Sequence, residues 1–185
     1  ALEPVVAAHD LVMLQLEMDV EVVKAAAQMG RKHGVPVILN PAPARDLDDE
    51  FLAAVDFLTP NETEAQLLTG VEVHDVDSAR RAALELLQRG PRHVVITLGD
   101  KGALLATGER TQHVPGFSVQ TVDTVAAGDA FNGALATKIA QGFSLEEAVV
   151  YANAVGALAV TRPGAIPSLP TAQEVEEFLN TATRA

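Results

Sequence analysis

Short runs of β-branched and leucine residues alternate with longer helical stretches over the first hundred positions, and that alternation admits few folds. Strand-like runs occupy 11–16, 35–39, 56–59 and 93–98. Between the first two lies a helical pattern. Asp19 can cap it, Val20, Val23, Ala26, Ala27 and Met29 share one face, and Gly34 closes it. Consecutive strands separated by a helix cannot be joined as hairpins, so they line up in parallel. The expectation is an α/β fold, a mainly parallel sheet flanked by helices. Asn40-Pro41-Ala42-Pro43 must be loop, because proline supports neither a helix interior nor a sheet ladder. A short helix over 48–55 precedes the third strand, which Pro60 stops, and a helix over 63–69 ends at Gly70. Asp77 is expected to cap the next helix, which runs through Leu87 to Gly90. Gly99-Asp100-Lys101-Gly102 reads as a turn into a strand at 103–106, followed by strands at 112–114 and 119–122. The last third is helical, with Ser144 and Glu147, and Thr171 and Glu174, at capping-box spacing. There is no repeat and no linker, so 1–185 reads as one α/β domain.

Charge narrows the partners. Thirteen Lys and Arg stand against 25 Asp and Glu, a formal net charge of −12, and no basic patch forms along the chain. Nucleic acid and anionic membrane are therefore poor partners. A phosphate ligand would have to be held by backbone N–H groups, helix ends and a metal, with few side-chain cations. The sequence has no cysteine, which excludes disulfides and thiolate metal sites and suits a cytoplasmic setting. No apolar run approaches the roughly 20 residues that span a bilayer, and no charged-then-apolar leader is visible.

Residues 123–131, Asp-Thr-Val-Ala-Ala-Gly-Asp-Ala-Phe, concentrate the chemistry. One carboxylate precedes a turn of small residues, and a second, Asp129, stands where an apolar helix over 130–140 begins. Such a turn leaves backbone N–H groups unpaired at a helix start, a common way to hold a phosphate. Asp129 would then meet a hydroxyl beside that phosphate as a base. The plainer alternative is an acidic residue that only complements the helix dipole. Pro60-Asn61-Glu62-Thr63-Glu64 also follows a strand and opens a helix, and Asn61 and Glu64 can be no more than an N-cap and its capping-box partner. Three segments are expected beyond the carboxyl ends of the strands, where ligands bind in such sheets: 61–64, 97–102 and 123–129.

The 123–131 stretch resembles the C-terminal signature of the ribokinase/PfkB family of carbohydrate kinases. Asn61-Glu62-Thr63-Glu64 is similar to that family's Asn-x-x-Glu motif. The resemblance implies ATP-dependent phosphorylation of the 5-hydroxyl of D-ribose, with Mg2+ and K+. Asp129 would be the base, and Ala126, Ala127 and Gly128 would complete the anion hole. Asn61 would touch phosphate, and Glu64 would order the water shell of the magnesium ion. Thr97, Gly99 and Gly102 would lie beside the nucleotide, and Asn153 near the adenine, although a polar group on a helix face explains Asn153 nearly as well. The potassium site would comprise the Asp123 carboxylate, carbonyls at Val125, Ala159, Arg162 and Gly164, and Ser168. Read plainly, Arg162 is a helix-end cation and Gly164 a C-terminal stop. Glu17, within Gln15-Leu16-Glu17, would approach the sugar, and Asn40-Pro41-Ala42-Pro43-Ala44 resembles ribokinases more than fructokinases or nucleoside kinases.

The resemblance covers nearly all 185 residues but only the C-terminal part of the family's fold. The first strands, a Gly-Gly-Lys-Gly-Ala-Asn-like motif and a small β-lid used for homodimerisation are not found in this sequence. A fragment of a longer protein is one reading of that, and a nucleotide-binding module without catalysis another. Kinases for another pentose, for deoxyribose or for a nucleoside stand as alternatives to the ribose reading.

Overall fold

The computed structural model describes residues 2–108 and 110–182, and these fall into two compact units. The first is built from the chain up to Leu98 together with 104–112, and the second from 99–103 and the chain from His113 onward.

In the first unit a short helix α1 (Glu3–Val6) precedes β1 (Val12–Leu14), α2 (Val20–His33), β2 (Val37–Leu39), α3 (Asp49–Leu52) and β3 (Phe57–Leu58). Then come α4 (Glu62–Thr69), α5 (Val76–Gln88) and β4 (His93–Thr97), and the hairpin strands β5 (Ala103–Thr107) and β6 (Arg110–Val114) end the sheet. The six strands stand in chain order, and the first four pair in parallel, with Val12 opposite Val37, Ile38 opposite Phe57, and Phe57 opposite His93. Only residues 98–102 separate β4 from β5, far short of the roughly dozen residues a parallel crossover needs, so the chain turns back there.

Burial is continuous along the central strands, as in a parallel sheet covered on both faces: Val37, Ile38, Leu39, Val94, Val95 and Ile96 are all inaccessible. One face packs on Phe51, Leu52, Ala79, Ala82, Ala83 and Leu86 from the helices. α2 forms as its sequence requires. Asp19 accepts the Glu21 N–H at 2.9 Å, and Gly34 ends the helix in the left-handed conformation at φ 68°.

The second unit is helical, with α6 (Ala127–Ala140), α7 (Leu145–Ala159) and α8 (Ala172–Thr181), and a 3₁₀ turn Ile166–Ser168 between the last two. α6 and α7 form its most extensive contact. Gly156 of α7 lies against Ala127 and Phe131 of α6, and at the other end Lys138 sits between the Phe143 and Tyr151 rings, 4.4 and 4.2 Å from their centroids. Phe117 meets Phe178 of α8 edge-on, 5.1 Å between centroids. No helix among the described residues is long and apolar enough to cross a membrane.

The structure corrects four local expectations. Asp75, not Asp77, caps α5, because the Ser78 hydroxyl returns the bond and completes a capping box, and Asp77 pairs with Arg80 inside the first turn. The 99–102 segment contains a 3₁₀ turn, Gly99–Lys101, in place of a simple hairpin turn. No strand forms at 119–122. The N–H groups of Val122 and Asp123 both reach the Val160 carbonyl, at 2.7 and 3.2 Å, which ties this segment to the end of α7. The helix expected over 130–140 begins earlier, so Ala127, Gly128 and Asp129 form the first turn of α6.

Candidate functional site

In the first unit, the candidate residues gather where β3 and β4 end. Pro60 cannot continue a strand, and Asn61 adopts extended backbone as the N-cap of α4. The Asn61 side chain accepts the Glu64 N–H at 2.9 Å, and the Glu64 carboxylate accepts the Asn61 N–H at 2.9 Å. A bridge pairs Asn61 with Thr97, and the Thr97 N–H bonds to the Pro60 carbonyl at 3.0 Å. Asn61, Glu64 and Thr97 are therefore neighbours. Glu64 is buried, and loss of solvent pushes its carboxyl pKa up, against the pull of the Asn61 amide. A cation close to this carboxylate would reverse that tendency.

Among the described residues no group of three or more His, Asp or Glu could hold a metal ion. Glu64 is the one carboxylate at this strand end whose oxygen bonds the Asn61 N–H, so a cation there would meet a single buried carboxylate. Further along this unit, Asn40 is buried and donates to the Thr59 carbonyl at 3.0 Å, and the Leu16 N–H reaches the Ala42 carbonyl at 2.8 Å. The segments holding Glu17 and Asn40 are thereby joined, with Glu17 exposed beside them.

The second unit holds the start of α6. Ala126 is its N-cap, with φ 61° and ψ 9°, and is the one non-glycine residue with positive φ among those described. It offers no side-chain cap, whereas α2, α4, α5, α7 and α8 each have one. The Ala127 N–H bonds to the Thr124 carbonyl at 3.2 Å and the Ala130 N–H to the Ala126 carbonyl at 2.8 Å, leaving the Gly128 N–H with no backbone acceptor among the described residues. Buried Asn132 donates to the Gly128 carbonyl at 2.9 Å and stiffens this turn from behind. Asp129 is exposed and opens onto a cavity of about 550 Å³. Its walls are small residues of α6, Tyr151 and Val155 of α7, and Ala165, Ile166 and Leu169 beyond. Sequence reasoning did not anticipate this cavity, although Ala130, Gly133, Ala134 and Thr137 recur at helical spacing as a small-residue stripe.

Asp123 sits just ahead of this turn. One carboxylate oxygen accepts the Gly164 N–H at 2.9 Å and the other the Val125 N–H at 3.0 Å. Those two amides, Gly164 first, hold its carboxyl below the usual carboxylate range. Buried Ser168 donates to the Ala165 carbonyl at 2.7 Å, and the Arg162 N–H reaches the Ala159 carbonyl at 3.3 Å. Asp123, Val125 and Gly164 are thus brought together. Both oxygens of Asp123 are engaged by those N–H groups, while the Ser168 hydroxyl and the Ala159 carbonyl are bonded within their own turns. The Arg162 guanidinium, unforeseen in the sequence beyond its helix-end charge, pairs with Glu174.

Asn153 is buried, and its amide is spent on the Val114 and Pro115 carbonyls at 3.2 and 3.3 Å. The two turn glycines differ. A Cβ on Gly102 would lie 2.2 Å from the Val114 carbonyl oxygen, so close backbone approach demands glycine there. Gly99 has φ 58° with open space around it, so only its conformation demands glycine.

Similarity to known proteins fits this arrangement. The chain is 46% identical over 180 residues to ribokinase of Haemophilus influenzae, covering 97% of this chain and 59% of that protein. It is 43% identical over 171 residues to deoxyribokinase of Salmonella typhi, covering 92% of this chain and 56% of the relative. Among solved structures it resembles ribokinase of Arabidopsis thaliana complexed with ribose and ATP, with TM-score 0.89 and 34% identity over 96% of this chain and 58% of that one. Thermotoga maritima ribokinase matches with TM-score 0.87 and 38% identity, over 97% of this chain and 59% of that one. The α/β fold is therefore ribokinase-like, and the chain spans less than two thirds of the length of these relatives. The model of the pfkB family of carbohydrate kinases matches residues 3–172, and the chain belongs to that family.

Proposed function

We propose that the chain carries the phosphoryl-transfer machinery of an ATP-dependent sugar kinase acting on the 5-hydroxyl of D-ribose. The observation that supports this best is Asp129, an exposed carboxylate in the first turn of a helix without a side-chain cap, opening onto a cavity. Asp129 would take the proton from the sugar hydroxyl and orient that oxygen in line with the γ-phosphorus. The N–H of Gly128, with those of Ala126, Ala127 and Asp129 as the turn adjusts to ligand, would meet the charge that spreads over the transferred phosphoryl oxygens. Asn61 would contact phosphate. Glu64 would accept from the magnesium-bound waters, the ion itself neutralising phosphate charge. Thr97, Gly99 and Gly102 are assigned to the nucleotide and Glu17 to the sugar.

Potassium is the second cation of this reading, held by the Asp123 carboxylate, Ser168 and the carbonyls of Val125, Ala159, Arg162 and Gly164. Its role would be to fix the turn that leads into α6. The 43% identity to a deoxyribokinase supports deoxyribose as the alternative sugar.

The test is sugar-dependent ADP release by the chain with magnesium ATP, ribose or deoxyribose, and potassium or sodium. Release stimulated by potassium, preferring ribose and lost in Asp129→Ala, is the expected result. Undiminished turnover in Asp129→Ala would remove Asp129 from the chemistry. ATP binding without any release would favour a nucleotide-binding module that needs the remaining length of its relatives.

A further inference from the structure

The turn into α6 is held from a distance. Ala126 keeps a left-handed conformation that costs any residue with a Cβ, so something must impose it. Asp123 does so directly, by holding the N–H of Val125, the residue just before Ala126. The other oxygen of Asp123 is anchored by the N–H of Gly164, in the segment that leaves α7. That segment is tied down in turn by its own side chain: the Arg162 Nη2 donates to Glu174 Oε1 at 2.5 Å. Glu174 is itself fixed, since its second oxygen accepts the Thr171 N–H at 2.7 Å and the Thr171 hydroxyl at 2.9 Å, closing the capping box of α8. A helix-end cation serving only the α7 dipole would need no such directed partner. The same segment continues through Ala165 and Ile166 into the wall of the cavity onto which Asp129 opens.

We infer that Arg162 is a positioning residue: its ion pair with Glu174 anchors the segment after α7, so that Gly164 holds Asp123 and Asp123 sets the left-handed turn that presents Asp129. The consequence for turnover rests on the reading of Asp129 as the base, and the mechanical part does not. Both Arg162 and Glu174 side chains are 37% exposed, so the pair is worth little to overall stability and its loss should act locally.

The test uses the 15N-labelled chain and Arg162→Ala, which leaves every backbone group and the α8 capping box in place. Amide hydrogen exchange at Val125 and Gly164 should accelerate about fivefold or more, with Val175 in α8 unchanged. In sugar-dependent ADP release, kcat should fall about three- to tenfold with the sugar KM within about twofold, because a small misplacement of a reacting group acts on rate. Arg162→Lys should recover most of both effects, and it also serves if the alanine variant does not fold. Glu174→Gln, which keeps an acceptor for Thr171 but removes the charge, should reproduce the Arg162→Ala pattern more weakly. Unchanged exchange at Val125 and Gly164 in Arg162→Ala would overturn the inference, and accelerated exchange with undiminished kcat would overturn its consequence for turnover. An unmodified chain that releases no ADP would defeat the kinase reading alone and leave the exchange measurement to decide the anchoring.

Discussion

Two helices begin with an acidic residue beside a proposed phosphate contact, and they begin in opposite ways. α4 starts closed: Asn61 and Glu64 satisfy each other's backbone N–H groups, and Glu64 is buried in doing so. α6 starts open, with an alanine in a left-handed turn, no side-chain cap and an exposed Asp129. A capping box is a local gain of about 1 kcal/mol that leaves little for a ligand to bond, so α4 can only present its carboxylate through what approaches it. The start of α6 forgoes that gain and keeps donors available, with the cost carried by Asp123 and the segment it holds. The first start reads as scaffold with a secondary role, the second as the place where charge would develop.

Substitutions can break that contrast. The largest effect is expected at Asp129, where alanine should lower turnover by about 10²- to 10⁴-fold with the melting temperature almost unmoved. A large loss of stability there, measured by thermal unfolding, would mean that Asp129 works as a cap and that the two starts are alike. Next comes Ala126→Val, which places a β-branched residue at positive φ and should destabilise by about 1–2 kcal/mol, whereas Ala126→Gly should be neutral or slightly stabilising. Urea titration separates the two, and equal effects would show that the turn can relax out of its left-handed form. Asn61→Ala should cost about 1 kcal/mol by the same method, the usual price of an N-cap.

The smallest effect concerns pH. Burial raises the folded-state pKa of Glu64, so folding favours its protonated form. That contribution is fully present below the unfolded glutamate pKa and is lost as pH rises through the elevated folded value. Glu64→Gln should therefore flatten the stability profile in that window and gain on the parent chain above it. A parent chain whose stability rises with pH across the same window, relative to Glu64→Gln, would show that the carboxylate is favoured rather than penalised where it lies.

What the sequence disclosed follows the range of the interactions. The capping boxes at Asn61, Ser144 and Thr171 need partners three residues apart, and all three form as spaced. The expected cap at Asp77 fails because the Ser78 hydroxyl returns a bond to Asp75, two residues earlier. The 119–122 run has β-branched residues yet forms no strand, and strand propensity is chiefly a preference for a pleated neighbour. In the site, the pairing of Asp123 with the 164 segment could be expected through family resemblance. The Arg162 side chain, by contrast, meets Glu174 across a loop and a 3₁₀ turn, a contact that no local pattern encodes. Asn153 shows the reverse case, a residue singled out for a ligand whose amide is bonded to two carbonyls of its own chain.

The wall of the cavity beside Asp129 includes Tyr151, whose ring face carries the Lys138 ammonium, and the sequence contains no other tyrosine and no tryptophan. Nearly all ultraviolet fluorescence of this chain therefore originates at one point of the helical unit. Occupancy of that cavity, or a shift of α6 against α7, can be followed as a change in emission from an unlabelled chain, with no reporter to engineer.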